Sequence, residues 1–316
     1  MATDDLVADS SQVSVKLTTS KSFFAKQDGL SLTVTLTNGA NHAVRLLRWE
    51  TPVDGIDAPL FVVTRNGMPV DYIGRIYKRA APRAEDYVVL APGESLERRV
   101  DLAEAYDVRE TGNYVVQYAS GVDSLVSNEV HLSIEGRLSQ REAPAPGANF
   151  VGCSASQQSD INRAAQNAHA LAHNALAYLN SHTAGSPRYT TWFGAFQTTR
   201  HTTARDHFNK INGNSLSRFA YDCTTCTQDN VYAYVYPDRF GQIYLCPAFW
   251  KAPMNGTDSK SGTIVHEASH FNANGGTRDQ AYGQTACRNL AQNHPNQTTN
   301  NADSHEYFAE NNPWLN

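Results

Sequence analysis

Several features that mark other classes of protein are missing from this sequence. No run of about 18 apolar residues occurs, which excludes a helix that spans a membrane. The net charge of −5 argues against a nucleic-acid-binding surface, because such a surface needs a basic patch. The opening MATDDLVADS is acidic and polar and lacks the apolar stretch of a signal peptide. We therefore expect neither a membrane partner nor a nucleic-acid partner.

Residues 1–152 also lack cysteine. The five cysteines are Cys153, Cys223, Cys226, Cys246 and Cys287. The spacing of Cys223 and Cys226 occurs in structural zinc sites and in redox pairs, but a second C-x-x-C is missing, which disfavours a structural zinc. Disulfides formed in an oxidising compartment fit the pattern better. We therefore expect a secreted, extracellular protein whose signal peptide has been removed and to which Met1 has been added.

Residues 11–135 show the alternation of apolar and polar residues that is typical of β-strands. The alternating segments are separated by turn signals, among them Asp28-Gly29, Asn38-Gly39, Asn66-Gly67 and Pro92-Gly93. Short strands at regular spacing predict an all-β immunoglobulin-like sandwich over residues 1–135. This segment contains no cluster of residues that suggests catalysis.

The sequence pattern changes in the second half of the chain. Residues 136–149 read GRLSQREAPAPGAN, and their prolines and glycines discourage helices and strands alike, which predicts a linker between two domains. From Ser154 onward, apolar residues follow helical spacing, and two strands are predicted at 231–236 and 242–245. Residues 150–316 are therefore predicted to form an α+β domain that is mainly α.

A metal-binding pattern lies in the stretch TIVHEASHFNANGGTRDQAYG, which covers residues 263–283. His266 and His270 stand four residues apart, so on a helix both imidazoles share one face and can bind one ion. Glu267 completes the H-E-x-x-H order of zinc peptidases, in which the glutamate is the general base rather than a ligand. The apolar first turn predicts a buried helix, and buried imidazoles need partners.

A catalytic zinc needs a third protein ligand, and Asp279 can supply it after a helix break at Gly275-Gly276. Residues 276–283, GTRDQAYG, resemble the G-T-x-x-D-x-x-Y-G signature of the aspzincins, the deuterolysin family of zinc endopeptidases. The resemblance implies that Asp279 is the third ligand of a single zinc ion per chain. It also implies that Tyr282 stabilises the oxyanion formed during peptide hydrolysis.

The resemblance extends over residues 150–316 and is strongest to the lysine-specific aspzincins, the peptidyl-lysine metalloendopeptidases. Matching stretches are PRYTTWFG at 187–194, AYVYPDRFGQIYLCPAFWKAP at 233–253 and NADSHEYFAENNP at 301–313. It implies a zincin-type catalytic domain, the disulfides Cys153–Cys223 and Cys226–Cys246, and a free buried thiol at Cys287. The family often has one residue between its middle cysteines, whereas Thr224 and Thr225 intervene here, which concerns loop geometry rather than catalysis.

Asp303 and Glu306 are candidates for a substrate pocket. Their i, i+3 spacing places them on one helix face. Two carboxylates in a pocket wall repel each other unless a cation lies between them, and a substrate lysine is a compact cation on a long stem. The family has its acidic S1′ residues at these positions, so the resemblance implies cleavage on the amino side of lysine. The alternative is a solvated acidic helix face with Asp303 as an N-cap.

Together these patterns predict a monomeric, secreted zinc endopeptidase that hydrolyses X–Lys bonds in proteins and peptides. Zinc would lower the pKa of water towards ~7, Glu267 would take its proton and deliver it to the leaving amine, and Tyr282 would donate to the oxyanion. One alternative is an aspzincin without strict lysine specificity. Another is a silent binding protein with a structural zinc, which the open three-ligand site argues against.

Residues 1–142 lie outside the mature enzyme of the resembled family and look like its pro-segment. We expect an inhibitory pro-domain and hence a zymogen; the alternative is a permanent substrate-binding or targeting module. The seven lysines are Lys16, Lys21, Lys26, Lys78, Lys210, Lys251 and Lys260. None lies in the linker, where Arg137 and Arg141 stand instead. Release should therefore need an arginine-cutting partner protease or some tolerance of arginine by the enzyme's own pocket.

Overall fold

The computed structural model of the protein describes residues 10–120, 125–136 and 149–316. Apart from its two end residues, the predicted linker, with Arg137 and Arg141, lies outside the described residues. The chain packs as two compact units, one within 1–75 and 82–142 and the other within 76–81 and 143–316. Within the described part of the chain, no helix has the length and apolar character needed to cross a membrane.

The first unit is rich in β-structure, as its alternating pattern predicts. Its strands are β1 (Val13–Thr18), β2 (Phe23–Phe24), β3 (Ser31–Asn38), β4 (Val44–Leu47), β5 (Phe61–Arg65), β6 (Met68–Pro69), β8 (Tyr87–Leu90), β9 (Ser95–Asp101), β10 (Gly112–Ala119) and β11 (Val126–Ile134). One sheet runs in the order β6-β5-β10-β11-β1-β3-β9, with β2 beside β11, while β4 pairs with β8. The β-rich character is confirmed, and the more specific immunoglobulin-like sandwich stays a prediction.

The period-two pattern places one face of these strands in the core. On β3, Leu32, Val34 and Leu36 are fully buried, and the residues between them are partly exposed. Tyr114 and Val116 on β10 are buried in the same alternating way. Because successive side chains of a strand point to opposite faces, this pattern fixes the register of each strand.

The second unit combines helices with a small sheet, which agrees with the predicted mainly helical domain. Its helices are α1 (Ala155–Ser181), α2 (Pro187–Phe193), α3 (Thr198–Asn212), α4 (Pro247–Lys251), α5 (Lys260–His270), α6 (Gly283–Asn293) and α7 (Ala302–Glu310). Its strands are β7 (Ile76–Arg79), β12 (Phe150–Val151), β13 (Ala220–Asp222), β14 (Val231–Val235) and β15 (Gln242–Leu245). They form one sheet in the order β12-β13-β15-β14-β7.

Local sequence explains where the long helix α1 begins and how it packs. Ser154 is its N-cap, and it forms a capping box with Gln157. The apolar stripe that predicts the helix is the buried face, with Ile161 and Leu179 fully inaccessible at its two ends. The helix thereby supports the core on which α5 lies.

Two disulfides join the small sheet to its loops. The pairs are Cys153–Cys223 and Cys226–Cys246, which is the pairing that the family resemblance implies. Cys287 is buried and carries a free thiol. Thr224 and Thr225, the two residues between the middle cysteines, are both held by hydrogen bonds to Asp222.

Strand β7 departs from the sequence prediction, which placed all of residues 1–135 in one sandwich. Ile76–Arg79 pairs with β14 in antiparallel register, with Tyr77 opposite Tyr234 and Lys78 opposite Ala233. All four β7 residues are buried, so the segment lacks the one-sided alternation of β3 and β10. An alternating pattern reports which face of a strand is buried and cannot report which sheet the strand joins. The domain limits as a whole stay a prediction.

Candidate metal centre and active site

Helix α5 carries the H-E-x-x-H motif and is buried along its whole length. Its N-cap is Ser259, whose hydroxyl accepts a hydrogen bond from the Gly262 amide at 2.9 Å. It ends after His270, where Phe271 adopts an extended conformation. The helix therefore presents both histidines from its last turns, as their spacing predicts.

The structure brings the third predicted ligand back to the two histidines. Gly276 has a φ of 58°, a left-handed conformation that suits glycine and turns the chain. Beyond this turn, Asp279 Oδ1 lies 3.3 Å from His266 Nε2 and 3.6 Å from His270 Nε2. Ligand atoms of these three residues all lie within 4.8 Å of one another, close enough to share one ion.

The geometry of this group fits zinc. Bonds of about 2.0–2.2 Å at a tetrahedral angle place two ligand atoms about 3.3–3.5 Å apart, close to the separations from Asp279. Among the described residues, His266 Nε2, His270 Nε2 and both Asp279 carboxylate oxygens have no hydrogen-bond partner, although all are buried. Buried polar atoms without partners are costly, and a shared cation would satisfy all of them together.

Neighbouring groups fix the orientation of both imidazoles. His270 Nδ1 donates to the Thr277 carbonyl oxygen at 2.9 Å, which leaves Nε2 as the atom for a metal. Thr277 is itself held by a 2.6 Å hydrogen bond between its hydroxyl and that of Ser269. His266 Nδ1 lies 2.9 Å from Asp303 Oδ1, the carboxylate–imidazole arrangement that is common behind metal ligands.

Helix α7 and its N-cap residue Asn301 hold residues 280–283, which follow Asp279, in place. The Asn301 side chain accepts hydrogen bonds from the amides of Gln280 and Ala281, at 2.9 and 3.1 Å. Asp303 Oδ2 accepts from the Gly283 amide at 2.8 Å. Tyr282, the predicted oxyanion donor, lies within this anchored segment at the N-cap of α6 and is largely buried. The position of Asp279 therefore depends on α7 as well as on the glycine turn.

Burial and neighbouring carboxylates shift the pKa values of the motif residues. Burial lowers the pKa of His270 to about 4, which favours the neutral imidazole that metals bind. Burial disfavours charge on His266 too, but Asp279 and its other acidic neighbours hold the pKa of its imidazole well above the ordinary value. Burial raises the pKa of Glu267 to about 8. The carboxylates that favour a proton on His266 equally favour a metal cation there.

An acidic cluster lies directly behind His266. Asp303 and Glu306, the predicted pocket residues, are both fully buried, and Glu306 Oε2 lies 3.2 Å from His266 Nδ1. The Lys78 ammonium lies 2.6 Å from Glu306, 3.7 Å from Asp303 and 3.2 Å from Asp258. His266, Asp303 and Glu306 are close enough to form a second ligand set, but there the cation is Lys78. The structure thus pairs Asp303 and Glu306 with a lysine side chain.

Asp258, which sequence reasoning missed, is positioned by an unusual backbone. Its φ of 51° is left-handed, a conformation that aspartate adopts more readily than most residues. Glu310 accepts hydrogen bonds from the amides of Asp258 and Ser259 at 3.2 and 2.9 Å, which fixes this turn. The Tyr307 hydroxyl donates to Asp258 Oδ1 at 2.7 Å. Two side chains of α7 therefore direct the Asp258 carboxylate towards Lys78.

Substitution of Asp279 tests its predicted role as the third ligand. Asp279→Ala should bind zinc more weakly than the unsubstituted chain and lose peptidase activity together with the metal, because only two protein ligands remain. Metal content by mass spectrometry under native conditions and the midpoint of thermal unfolding with and without added zinc measure the effect. Affinity equal to that of the unsubstituted chain would remove Asp279 from the ligand set.

Comparisons with known proteins agree with this geometry. A family model described as lysine-specific metallo-endopeptidase matches residues 178–310. An extracellular protease of Aeromonas hydrophila is 40% identical over 90% of this chain and 89% of its own. A peptidyl-Lys metalloendopeptidase of Grifola frondosa is 38% identical, with the same coverage. The solved structure of a zinc peptidase from Grifola frondosa superposes with a TM-score of 0.51 at 53% identity, covering 52% of this chain and 100% of its own.

Proposed function

The chain belongs to the lysine-specific metallo-endopeptidase family and is a zinc metalloendopeptidase, and from this premise we propose that it cuts polypeptides on the amino side of lysine. In this proposal His266, His270 and Asp279 hold one zinc ion per chain. Asp303 and Glu306 bind the lysine of the substrate immediately after the scissile bond. The products are two peptides, one of which begins with lysine.

The observation that carries this specificity is the acidic cluster behind His266. Its two fully buried carboxylates lie 2.9 and 3.2 Å from a ligand imidazole, so a side chain bound there belongs to a residue next to the reacting bond. Burial alone would raise the pKa of Asp303, yet Lys78 and His266 hold it at about 2. Burial raises the pKa of the neighbouring Glu306, so Asp303 is the carboxylate that keeps the site anionic. A carboxylate that stays ionised under burial selects a cation, and an ammonium on a four-carbon stem reaches it.

The residues of the site divide the chemistry between them. His266, His270 and Asp279 would hold the zinc ion, which would act as a Lewis acid towards the scissile carbonyl and would lower the pKa of water to about 7. Glu267 takes the proton of the attacking water and delivers it to the leaving amine, and its raised pKa suits a group that must carry a proton between steps. Tyr282 donates a hydrogen bond to the developing oxyanion. Asp303 and Thr277 keep the imidazoles in the ligand orientation.

Secretion and a zymogen state are further parts of the proposal. The two disulfides fit an oxidising compartment, and the similar protein of Aeromonas hydrophila is named an extracellular protease. The solved Grifola frondosa peptidase is covered over its whole length by about half of this chain, so a peptidase of this type needs no more than the second unit. The first unit is then free to act as an inhibitory pro-domain of a monomeric enzyme.

A pair of peptides tests the specificity. The two substrates differ only after the scissile bond, where one has lysine and the other has norleucine, its neutral isostere. We expect kcat/KM to be about 100-fold or more higher for lysine, because norleucine would leave buried carboxylates without a counter-charge, which costs about 3 kcal/mol or more. A ratio near one would favour an aspzincin without strict lysine specificity.

Nicking of the linker tests the zymogen. Full-length protein loaded with zinc should gain activity when a trypsin-like protease, afterwards inactivated, cuts at Arg137 or Arg141. Equal activity before and after the cut would argue against inhibition and favour a permanent module. Full-length Glu267→Gln protein is the control, because a cut in its linker without added protease would reveal a contaminating enzyme.

A further inference from the structure

We propose that the segment Ile76–Ala81 is an internal substrate mimic, which occupies the peptide-binding edge of the second unit's sheet and holds Lys78 in the lysine pocket. The inference rests on the proposed function and adds to it a residue-level mode of inhibition. It also assigns Asp258 as a third carboxylate of the pocket.

The backbone of the segment follows the mode in which extended peptides bind to sheet edges. Strand β14 pairs with β15 on one side, and β7 adds to its other side as the terminal strand of the sheet. The pairing is antiparallel, and it continues past β7 in a 2.9 Å hydrogen bond from the Ala80 amide to the Asn230 carbonyl oxygen. Such strand addition gives affinity through main-chain hydrogen bonds and leaves specificity to the side chains.

The side chain at the centre of the segment carries the specificity. The Lys78 ammonium is fully buried among three carboxylates and lies 4.8 Å from the centre of the Tyr232 ring. Burial disfavours its charge, but Glu306, Asp303 and Asp258 hold the pKa of the amine well above the ordinary value. A lysine buried at this depth is rare in a structural strand, where an apolar residue would avoid the cost of desolvation.

The other lysines show that this environment is specific to position 78. Lys260, the second buried lysine among the described residues, forms a single 2.8 Å ion pair with Asp160. The remaining described lysines, Lys16, Lys21, Lys26, Lys210 and Lys251, are exposed. Lys78 alone among them lies against the predicted pocket residues. Its environment is therefore that of a bound lysine substrate and not that of a general ion pair.

Lys78 occupies a pocket next to the predicted metal ligands, so its presence there affects substrate binding. The carboxylates that bind Lys78 are the same ones that lie 2.9 and 3.2 Å from His266 Nδ1. An external lysine cannot enter the cluster while Lys78 is there, so the two compete. A tethered competitor acts at an effective concentration on the order of millimolar, which raises the apparent KM for a lysine substrate and leaves kcat unchanged.

The test measures binding without chemistry. Full-length protein carrying Glu267→Gln is loaded with zinc, and its affinity for a fluorescent lysine-containing peptide is measured by anisotropy. Adding Lys78→Met, which keeps the length of the side chain and removes its charge, should tighten binding about tenfold or more. Lys26→Met, a change at an exposed lysine, is the matched control and should leave the affinity unchanged. Unchanged affinity in folded, zinc-loaded Lys78→Met protein would overturn the proposal.

A labelling experiment keeps the inference testable if Lys78→Met fails to fold. In the unsubstituted, zinc-loaded chain, an amine-acetylating reagent should modify Lys16, Lys21 and Lys26 at least about ten times faster than Lys78, because the buried amine is paired and protonated. Equal rates would contradict occupancy of the pocket.

Kinetics separate the failure of this inference from the failure of the proposed function. With Glu267 intact, Lys78→Met should lower the apparent KM for a lysine peptide while kcat stays constant. Activity on lysine peptides with identical KM in both proteins would leave the proposed function standing and overturn the mimic. Tighter peptide binding by Lys78→Met protein without any lysine-directed cleavage would support the mimic and overturn the proposed function.

Discussion

Glu267→Gln should lower kcat by about 10²–10⁴-fold and leave zinc bound, since general acid–base catalysis contributes on that order. Glutamine has the shape of glutamate but cannot accept the proton of the attacking water. The carboxylate oxygens of Glu267 are buried beside the ligand group, and they have no hydrogen-bond partner among the residues that the structure describes. The substitution therefore removes no hydrogen bond that the structure shows. Steady-state kinetics together with the zinc content of the same sample measure both effects.

Two comparisons make this prediction specific. Asp279→Ala should lose activity and zinc together, so the two variants separate a catalytic group from a metal ligand. Thermal unfolding of Glu267→Gln should show no loss of stability, because burial of the charged form of Glu267 is unfavourable in the unsubstituted protein. Substantial turnover in the zinc-loaded variant would exclude Glu267 as the general base.

Asp303→Asn combined with Glu306→Gln should lower kcat/KM for the lysine peptide by about 100-fold or more. The ammonium of a bound lysine would then be buried without a counter-charge. The norleucine peptide should lose much less, since its neutral side chain needs none. The ratio of the two kcat/KM values is therefore the quantity to measure.

This ratio also removes a complication that the structure reveals. Asp303 lies 2.9 Å from His266 Nδ1, so its substitution can weaken the metal centre as well as the pocket. Damage to the metal centre lowers kcat/KM for both peptides equally and cancels in the ratio. Equal losses for lysine and norleucine would show that these carboxylates do not determine specificity.

The elements of the second unit could be predicted from the sequence because their signals are local. Strand β15 spans Gln242–Leu245 in both the prediction and the structure, and β14 spans Val231–Val235 where a strand over 231–236 was predicted. Apolar residues that recur every 3.6 positions mark the buried face of a helix, and those that recur every 2 positions mark the buried face of a strand. N-cap residues such as Ser154 mark where helices begin. In the first unit the same signals located strands but did not fix how the sheet connects them.

The sequence predicted that His266, His270 and Asp279 meet at one site, but it did not predict which residues hold them there. His266 and His270 share a helix face by spacing alone, and Asp279 follows from a motif. Thr277 orients His270 through its carbonyl oxygen, and Asn301 holds the segment after Asp279 through its side-chain amide oxygen. Both residues reach the site only in the folded chain. No local pattern marks such contacts. Asp258 is similar, because its left-handed turn depends on Glu310, a residue far along the chain.

Lys78 shows the limit of sequence reasoning most clearly. The sequence identifies it as one of seven lysines, none of them in the linker, and gives no reason to single it out. Its role depends on the pairing of Lys78 with Ala233 and on carboxylates more than 170 positions away in the chain. Non-local contacts of this kind are set by tertiary packing. They appear only when the strand is placed in its sheet.

The central claim is lysine-directed, zinc-dependent hydrolysis, and mapping of the cleavage sites in an unfolded protein tests it most directly. Full-length protein nicked in its linker, with the nicking protease inactivated, is incubated with the unfolded substrate, and the new peptide ends are read by mass spectrometry. We expect peptides that begin with lysine, none after chelation, and recovery with about one equivalent of zinc. Residual nicking protease would instead produce peptides that end in lysine or arginine. New amino termini spread over many residue types, or cleavage that survives chelation, would contradict the account.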